Sequence, residues 1–153
     1  MLDERTISLV RAGFKSVLAA EDGPAILARS FYAHLFVEHP EFRTLFPASM
    51  DQQREHFVRA LAFVFDNLNN DDRVEPFLQQ LGRDHRKHGV NGSHFRAGGS
   101  ALISAFRNFA GNELWTDEVE AAWHETLACI TDNMAVAADS DELPPYWGAT
   151  VVE

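Results

Sequence analysis

The chain carries a single cysteine, Cys129, in 153 residues. One thiol excludes an internal disulfide and cannot build a thiolate metal site by itself, so Cys129 reads as a small buried hydrophobe. Positive charge is also scarce: 13 Lys and Arg stand against 23 Asp and Glu, a formal net charge of −10. With no basic run longer than Arg86-Lys87, the chain lacks the footprint of a nucleic-acid binder or of a protein drawn to anionic membranes. No apolar run approaches the roughly 18 residues of a membrane span. The N-terminus opens on the acidic Asp3-Glu4 instead of a basic-then-apolar signal. The expectation is a soluble, cytoplasmic chain with neither nucleic acid nor membrane as partner. Internal repeats and low-complexity tracts are missing, and up to Ala138 no segment alternates with the period of two that marks a half-buried strand.

What is present suits one globular domain. Hydrophobic residues make up 46% and charged residues 24%, close to the globular average, and a chain of this length buries roughly 70% of its unfolded surface without staples. Phenylalanine is over-used, with 12 copies. Such flat apolar side chains serve either ordinary packing or the lining of something flat.

Helical periodicity runs through the chain. Asp3 can cap a first helix, Leu2 and Ile7 sit where a hydrophobic staple would, and Val10, Phe14, Val17 and Leu18 continue the stripe to about Glu21. Asp22-Gly23-Pro24 then breaks the chain. It puts a proline in the first turn of a second helix with Leu27, Phe31 and Leu35 on one face, flanked by Tyr32 and Phe36. His39-Pro40 opens a short helical segment that ends at Leu45-Phe46-Pro47. A long helix from about Asp51 to Asn69 carries Phe57, Leu61, Val64 and Leu68, and another runs from about Val74 to Gly89. Ser93 starts a helix through Phe95, Leu102 and Phe106 that Gly111 ends, and Gly98-Gly99 inside it would permit close approach of a neighbour. Thr116, with Asp117, Glu118 and Glu120 behind it, starts a last helix through Trp123, Leu127, Ile130 and Met134. The expected class is all-α, with about seven to eight unequal helices packed orthogonally and not as a bundle of equal rods.

One histidine stands out. Phe77, Leu81 and His85 fall at i, i+4 and i+8 and share the apolar face of their helix. An inward neutral imidazole needs a partner for each ring nitrogen; a metal is one such partner, and a satisfied core histidine is the other reading. Tyr32 and Gln53 lie on or beside the stripes of their helices and could reach one shared pocket. Equally, Tyr32 reads as a surface tyrosine with a wet hydroxyl and Gln53 as part of the polar run Asp51-Gln52-Gln53-Arg54-Glu55. His88, three residues after His85, points to solvent at a helix end. His34, His39, His56, His94 and His124 read as surface or cap residues.

The strings Phe31-Tyr32-Ala33-His34-Leu35-Phe36, Pro40-Glu41-Phe42-Arg43-Thr44-Leu45-Phe46, Gln53-Arg54-Glu55, Leu81-Gly82-Arg83-Asp84-His85 and Ala122-Trp123 occur in this order. In that order and spacing they resemble bacterial globins, specifically the globin domain of flavohaemoglobins and their single-domain relatives, from Leu2 to about Ala138. The resemblance implies a globin fold around haem b (iron protoporphyrin IX). His85 is then the iron ligand, Phe46 the aromatic residue packed on the haem face, Tyr32 and Gln53 the catalytic pair facing bound dioxygen, and Phe57 their bulky neighbour.

Two departures bear on chemistry. Flavohaemoglobins usually place a tyrosine and a glutamate behind the iron-ligating histidine, whereas this chain has Phe95 and Ala138 there. Without that relay the imidazole is expected to be less anionic, with its second nitrogen on a backbone carbonyl. Asp84 stands where the family is often basic. Both departures resemble a second, less conventional subgroup of flavohaemoglobin-like proteins.

The expected function follows from the resemblance. A haem domain that binds O2, and also NO and CO, would support nitric oxide dioxygenation with electrons from a flavin reductase domain or protein carrying FAD. Alone it would achieve little multiple turnover. The other reading is an O2 storage, scavenging or sensing module without turnover. Residues 1–138 are expected to form the globin domain. After them Asp139-Ser140-Asp141-Glu142-Leu143-Pro144-Pro145 breaks the pattern, and Tyr146-Trp147-Gly148-Ala149-Thr150-Val151-Val152 resembles the first strand of an FAD-binding reductase domain. Residues 139–153 are therefore expected to be a linker and the start of such a domain, the chain being cut from or shortened relative to a longer flavoprotein.

Overall fold

Asp3 caps the first helix as its position predicts: its carboxylate accepts from the Thr6 amide at 2.8 Å and opens α1, Glu4–Ala19. The computed structural model describes residues 2–139, and the tail expected to begin a reductase domain lies outside them from residue 140 on. Five further α-helices follow: α2, Gly23–Glu38; α3, Asp51–Asp66; α4, Asp71–Lys87; α5, Gly92–Leu114; and α6, Asp117–Ala138. A 3-10 helix, Pro40–Leu45, joins α2 to α3, and among the described residues there is no strand. The fold is all-α, as expected.

Several helix ends differ from the sequence reading for local reasons. Leu18 is exposed, so the α1 stripe closes at Val17 and the helix stops at Ala19. In α4 the first turn begins at Asp71 instead of Val74, because Asp71 and Asp72 favour the positive end of the helix dipole. Asn91 caps α5 through a reciprocal box with His94. Gly111, at φ 78° and ψ 170°, is non-helical and ends the main run of α5, as expected, before a last short turn to Leu114. Thr116 caps α6 by accepting from the Val119 amide, as expected.

The core divides by aromatic residues. Trp123 of α6 stacks on Phe106 at 4.0 Å and meets the edge of Phe65 at 5.3 Å, while Phe14 stacks on Phe65 at 5.0 Å. This cluster joins α1, α3, α5 and α6 and is ordinary packing. Other phenylalanines gather around Tyr32 and His85. Cys129, expected to be buried, is only partly so.

Helix α6 lies against α4, α5 and α1, with α4 its most extensive partner. The crossing of α4 and α6 is set by Gly82, whose absent Cβ would land on the Met134 backbone, carbonyl included. Gly98, expected to admit a neighbour, meets nothing within 4 Å, and Gly99 meets Thr131 and Leu127 of α6 at ordinary distances. Against the α6 backbone the close approach belongs to Gly82. Gly82→Ala is expected to lower stability by about 1 to 3 kcal/mol through overpacking, whereas Gly98→Ala raises it by about 0.5 to 1 kcal/mol through helix propensity. Urea denaturation of the two variants checks this; equal stabilities would remove the close crossing from the account.

Candidate functional site

Tyr32 is 6% exposed, which corrects the surface reading of its side chain. Both it and Phe31 are buried because α3 and the 3-10 helix pack on α2. Gln53, in the first turn of α3, donates from Nε2 to the Tyr32 hydroxyl oxygen at 3.1 Å. A hydroxyl buried without a partner is costly, so this bond is what allows the tyrosine to sit inward. Aromatic rings enclose it: Phe46 edge-on at 5.6 Å, Phe57 at 5.5 Å and Phe31 at 4.8 Å. Phe57 itself stacks on Phe31 at 4.3 Å.

Burial pushes the Tyr32 hydroxyl up to about 12, against the opposing pull of the Gln53 bond and the Arg54 charge. The phenol is therefore protonated at neutral pH. While it accepts from Gln53 its own proton remains available to a further acceptor. Arg54 is held by Asp51 at 2.7 Å and does not contact the phenol directly.

His85 stands in the last turn of α4. Its Nδ1 lies 2.7 Å from the Leu81 carbonyl oxygen. A carbonyl only accepts, so Nδ1 carries the proton and Nε2 presents a lone pair in the neutral ring. Burial lowers the imidazole pKa, opposed by the Leu81 carbonyl and by Asp84, and this favours the neutral, ligating form. Among the described residues no hydrogen bond reaches Nε2. Phe95 is buried beside the ring, with centroids 5.5 Å apart. Ala138 is wholly buried, and its carbonyl accepts from Arg86 at 3.0 Å. Neither side chain can hydrogen-bond the imidazole, and a backbone carbonyl takes Nδ1, as the sequence predicts.

The structure thus brings Tyr32, Gln53, Phe46 and Phe57 into one cluster, and His85 and Phe95 into a second. No hydrogen bond or ring contact joins the two among the described residues; they stand on separate elements, with α3 packed on α4 through Phe63 and Phe77 at 4.4 Å. His88 is an exposed cap of α4, His94 belongs to the α5 capping box, and His34 bonds Asn108 at 2.8 Å. Sequence reasoning missed Phe31 as the ring under Phe57 and Leu81 as the specific carbonyl. The second was accessible in principle, since Leu81 lies four residues before His85 on one helix.

The donor set fits a haem. Among the described residues no three His, Cys, Asp or Glu side chains converge as a metal cage. One open imidazole nitrogen suits an iron that brings four ligands of its own, and flat aromatic walls suit a planar macrocycle.

Comparison with known proteins agrees with this chemistry. The family model described as Globin matches residues 29–134. A flavohaemoprotein of Bacillus thuringiensis subsp. konkukian is 34% identical over 138 residues, covering 86% of this chain and 32% of its own length. The chain therefore spans about a third of the flavohaemoproteins it matches. A globin of Chironomus thummi thummi is 31% identical over 141 residues, with 85% of this chain and 83% of that protein covered. Among solved structures, an engineered carbene transferase from Rhodothermus marinus, described as a nitric oxide dioxygenase candidate, superposes with a TM-score of 0.77 at 21% identity, covering 90% of this chain and 94% of its own. A hexacoordinated haem protein from an anhydrobiotic tardigrade gives 0.79 at 16% identity, with 91% and 96% covered. On the family model matched over residues 29–134 and on a 31% identical globin covered over 83% of its length, the protein belongs to the globin family.

Proposed function

We propose that the chain is a haem-binding, O2-binding domain that also takes NO and CO and supports the conversion of nitric oxide to nitrate. The carrying observation is the buried Tyr32–Gln53 pair, which keeps one hydroxyl proton free for a ligand. The group these residues would hold is haem b, which would supply an iron able to take a diatomic ligand. His85 Nε2 is the nitrogen that would hold the iron, and the Leu81 carbonyl keeps the ring in the required tautomer. Phe46 and Phe57 exclude water from the Tyr32 hydroxyl, while Phe95 packs against His85.

Tyr32 then acts as hydrogen-bond donor and Gln53 as the group that orients it. A hydrogen bond to a partly charged acceptor contributes about 1.5 to 3 kcal/mol, which slows ligand loss by roughly one to two orders of magnitude. One NO, one O2 and one electron make one nitrate. A reduced iron would carry the electron for one turnover, and FAD on a reductase domain or partner protein would deliver the next. The naming of the bacterial relatives as flavohaemoproteins and of the Rhodothermus marinus protein as a nitric oxide dioxygenase candidate supports this reading.

A second reading, O2 storage, scavenging or sensing without turnover, is favoured by the side chains behind His85. Phe95 and Ala138 cannot make the imidazole more anionic, so the geometry suits holding O2 better than breaking its bond.

Three outcomes are expected. Mixing reduced, air-equilibrated holoprotein with stoichiometric NO yields one nitrate per haem within the mixing experiment, and stalls there until a flavin reductase is added; a protein that survives the pulse without forming nitrate is a binding module. Resonance Raman of the reduced protein places the iron–histidine stretch below that of flavohaemoglobins that keep the tyrosine–glutamate relay, and an equally high stretch contradicts the role given to Phe95 and Ala138. Finally, Tyr32 has a folded-state pKa raised to about 12, so its protonated form stabilises the fold up to about pH 10 and that contribution is lost as pH rises further. Relative to Tyr32→Phe, the parent should lose about 2 to 3 kcal/mol of stability by pH 12; parallel urea-unfolding curves would show that Tyr32 is not buried as described.

A further inference from the structure

The segment between the 3-10 helix and α3 has no regular hydrogen bonding of its own, although it carries Phe46 and leads within seven residues to Gln53. Phe46 is half-buried and Pro47 and Ala48 are exposed, so the carbonyls of such a segment take donors from a side chain or from water. One side chain supplies them. Arg43, half-buried on the 3-10 helix, donates from Nη1 to the Pro47 carbonyl at 2.9 Å and to the Phe46 carbonyl at 3.4 Å, and from Nη2 to the Ala48 carbonyl at 2.9 Å. Among the described residues these three carbonyls take no other hydrogen bond.

The same guanidinium lies over the Phe36 ring, 5.5 Å from its centroid. Phe36 meets the edge of Phe46 at 5.4 Å and the Tyr32 ring at 5.8 Å, and Phe46 meets Tyr32 at 5.6 Å. Tyr32, Phe36 and Phe46 therefore close a triangle of rings. Arg43 ties two of its corners, Phe36 through the ring face and Phe46 through the backbone. Its planar fork is suited to this, because several donors are fixed by one side chain at little further entropic cost.

We propose that Arg43 is a positioning residue for the Tyr32–Gln53 site. By clamping residues 46–48 and the Phe36 ring it holds Phe46 edge-on to Tyr32 and sets where α3 begins, and hence where Gln53 stands relative to the hydroxyl it orients. Arg43 reaches no ligand itself; it acts through Phe46 and Gln53. The inference rests on the reading of Tyr32 and Gln53 as the O2-facing pair.

The test compares the parent holoprotein with Arg43→Met, Arg43→Lys and Tyr32→Phe. Two readouts report the Tyr32 hydroxyl directly: the C–O stretch of carbon monoxide bound to the reduced protein, and the O2 dissociation rate by stopped flow. Arg43→Met, which keeps the stem and loses every donor, is expected to move or split the C–O band toward the Tyr32→Phe position and to release O2 roughly three- to tenfold faster. Arg43→Lys, which still has donors for a carbonyl and a cation for Phe36, should recover part of both effects. Parent-like values in Arg43→Met, where Tyr32→Phe changes both readouts, overturn the role of Arg43 alone. A Tyr32→Phe variant that changes neither readout instead overturns the reading of the pair. Should Arg43→Met fail to fold, Arg43→Gln carries the same comparison: intermediate values support the clamp, and parent-like values overturn it.

Discussion

The crossing of α4 over α6 at Gly82 is the constraint on which the site depends. A side chain at residue 82 would occupy the space of the Met134 backbone, so the two helices meet at a distance only glycine permits. His85 follows three residues later on the same helix. The contact that fixes the rotation of α4 about its axis therefore fixes the direction of the imidazole too. Helix α6 is in turn anchored by the Thr116 cap and by Trp123, wholly buried among Phe65, Phe106 and Trp115. The apolar core thus holds one half of the site without contributing a polar atom to it.

The other half is held by polar complementarity inside an aromatic enclosure. Phe31, Phe46 and Phe57 remove water from Tyr32, which raises the cost of an unpaired hydroxyl, and Gln53 meets that cost with one hydrogen bond. The same enclosure raises the phenol pKa and keeps the group a donor. Packing and chemistry are one arrangement here. The two halves differ in character: the Tyr32 hydroxyl has a side-chain hydrogen bond from Gln53, while among the described residues His85 has a backbone carbonyl and a phenylalanine ring. That asymmetry makes retention of a bound diatomic ligand the stronger part of the proposed function.

Much of this was legible in the sequence, for identifiable reasons. Helices with strong 3.6-residue stripes and clear caps, such as α1 and α6, needed only local rules. The inward face of His85 followed from its spacing to Phe77 and Leu81. Errors arose where a residue's role depends on what lies across from it. Gly98 and Gly99 looked like a close-approach pair, but Gly98 faces nothing and the demanding position against α6 is Gly82, because a glycine's neighbour is on another helix. Leu18 continued an apolar stripe yet is exposed, since no element covers the end of α1 there. Gly111 does break α5, as its residue type predicts, but a further short turn follows it to Leu114.

Residue order by itself determined the all-α class, the caps, the ordered landmarks of the globin family and the absence of side-chain donors at positions 95 and 138, because each of these depends on composition or on spacing along one helix. Only the tertiary structure decided that Tyr32 is buried and not wet, that Gln53 reaches its hydroxyl, that Leu81 is the carbonyl that takes Nδ1 of His85, and that Arg43 spans three carbonyls and a ring. The physical reason is distance along the chain. Tyr32 and Gln53 are 21 residues apart, and no propensity or periodicity specifies which side chains two helices will present to each other once their apolar faces have packed.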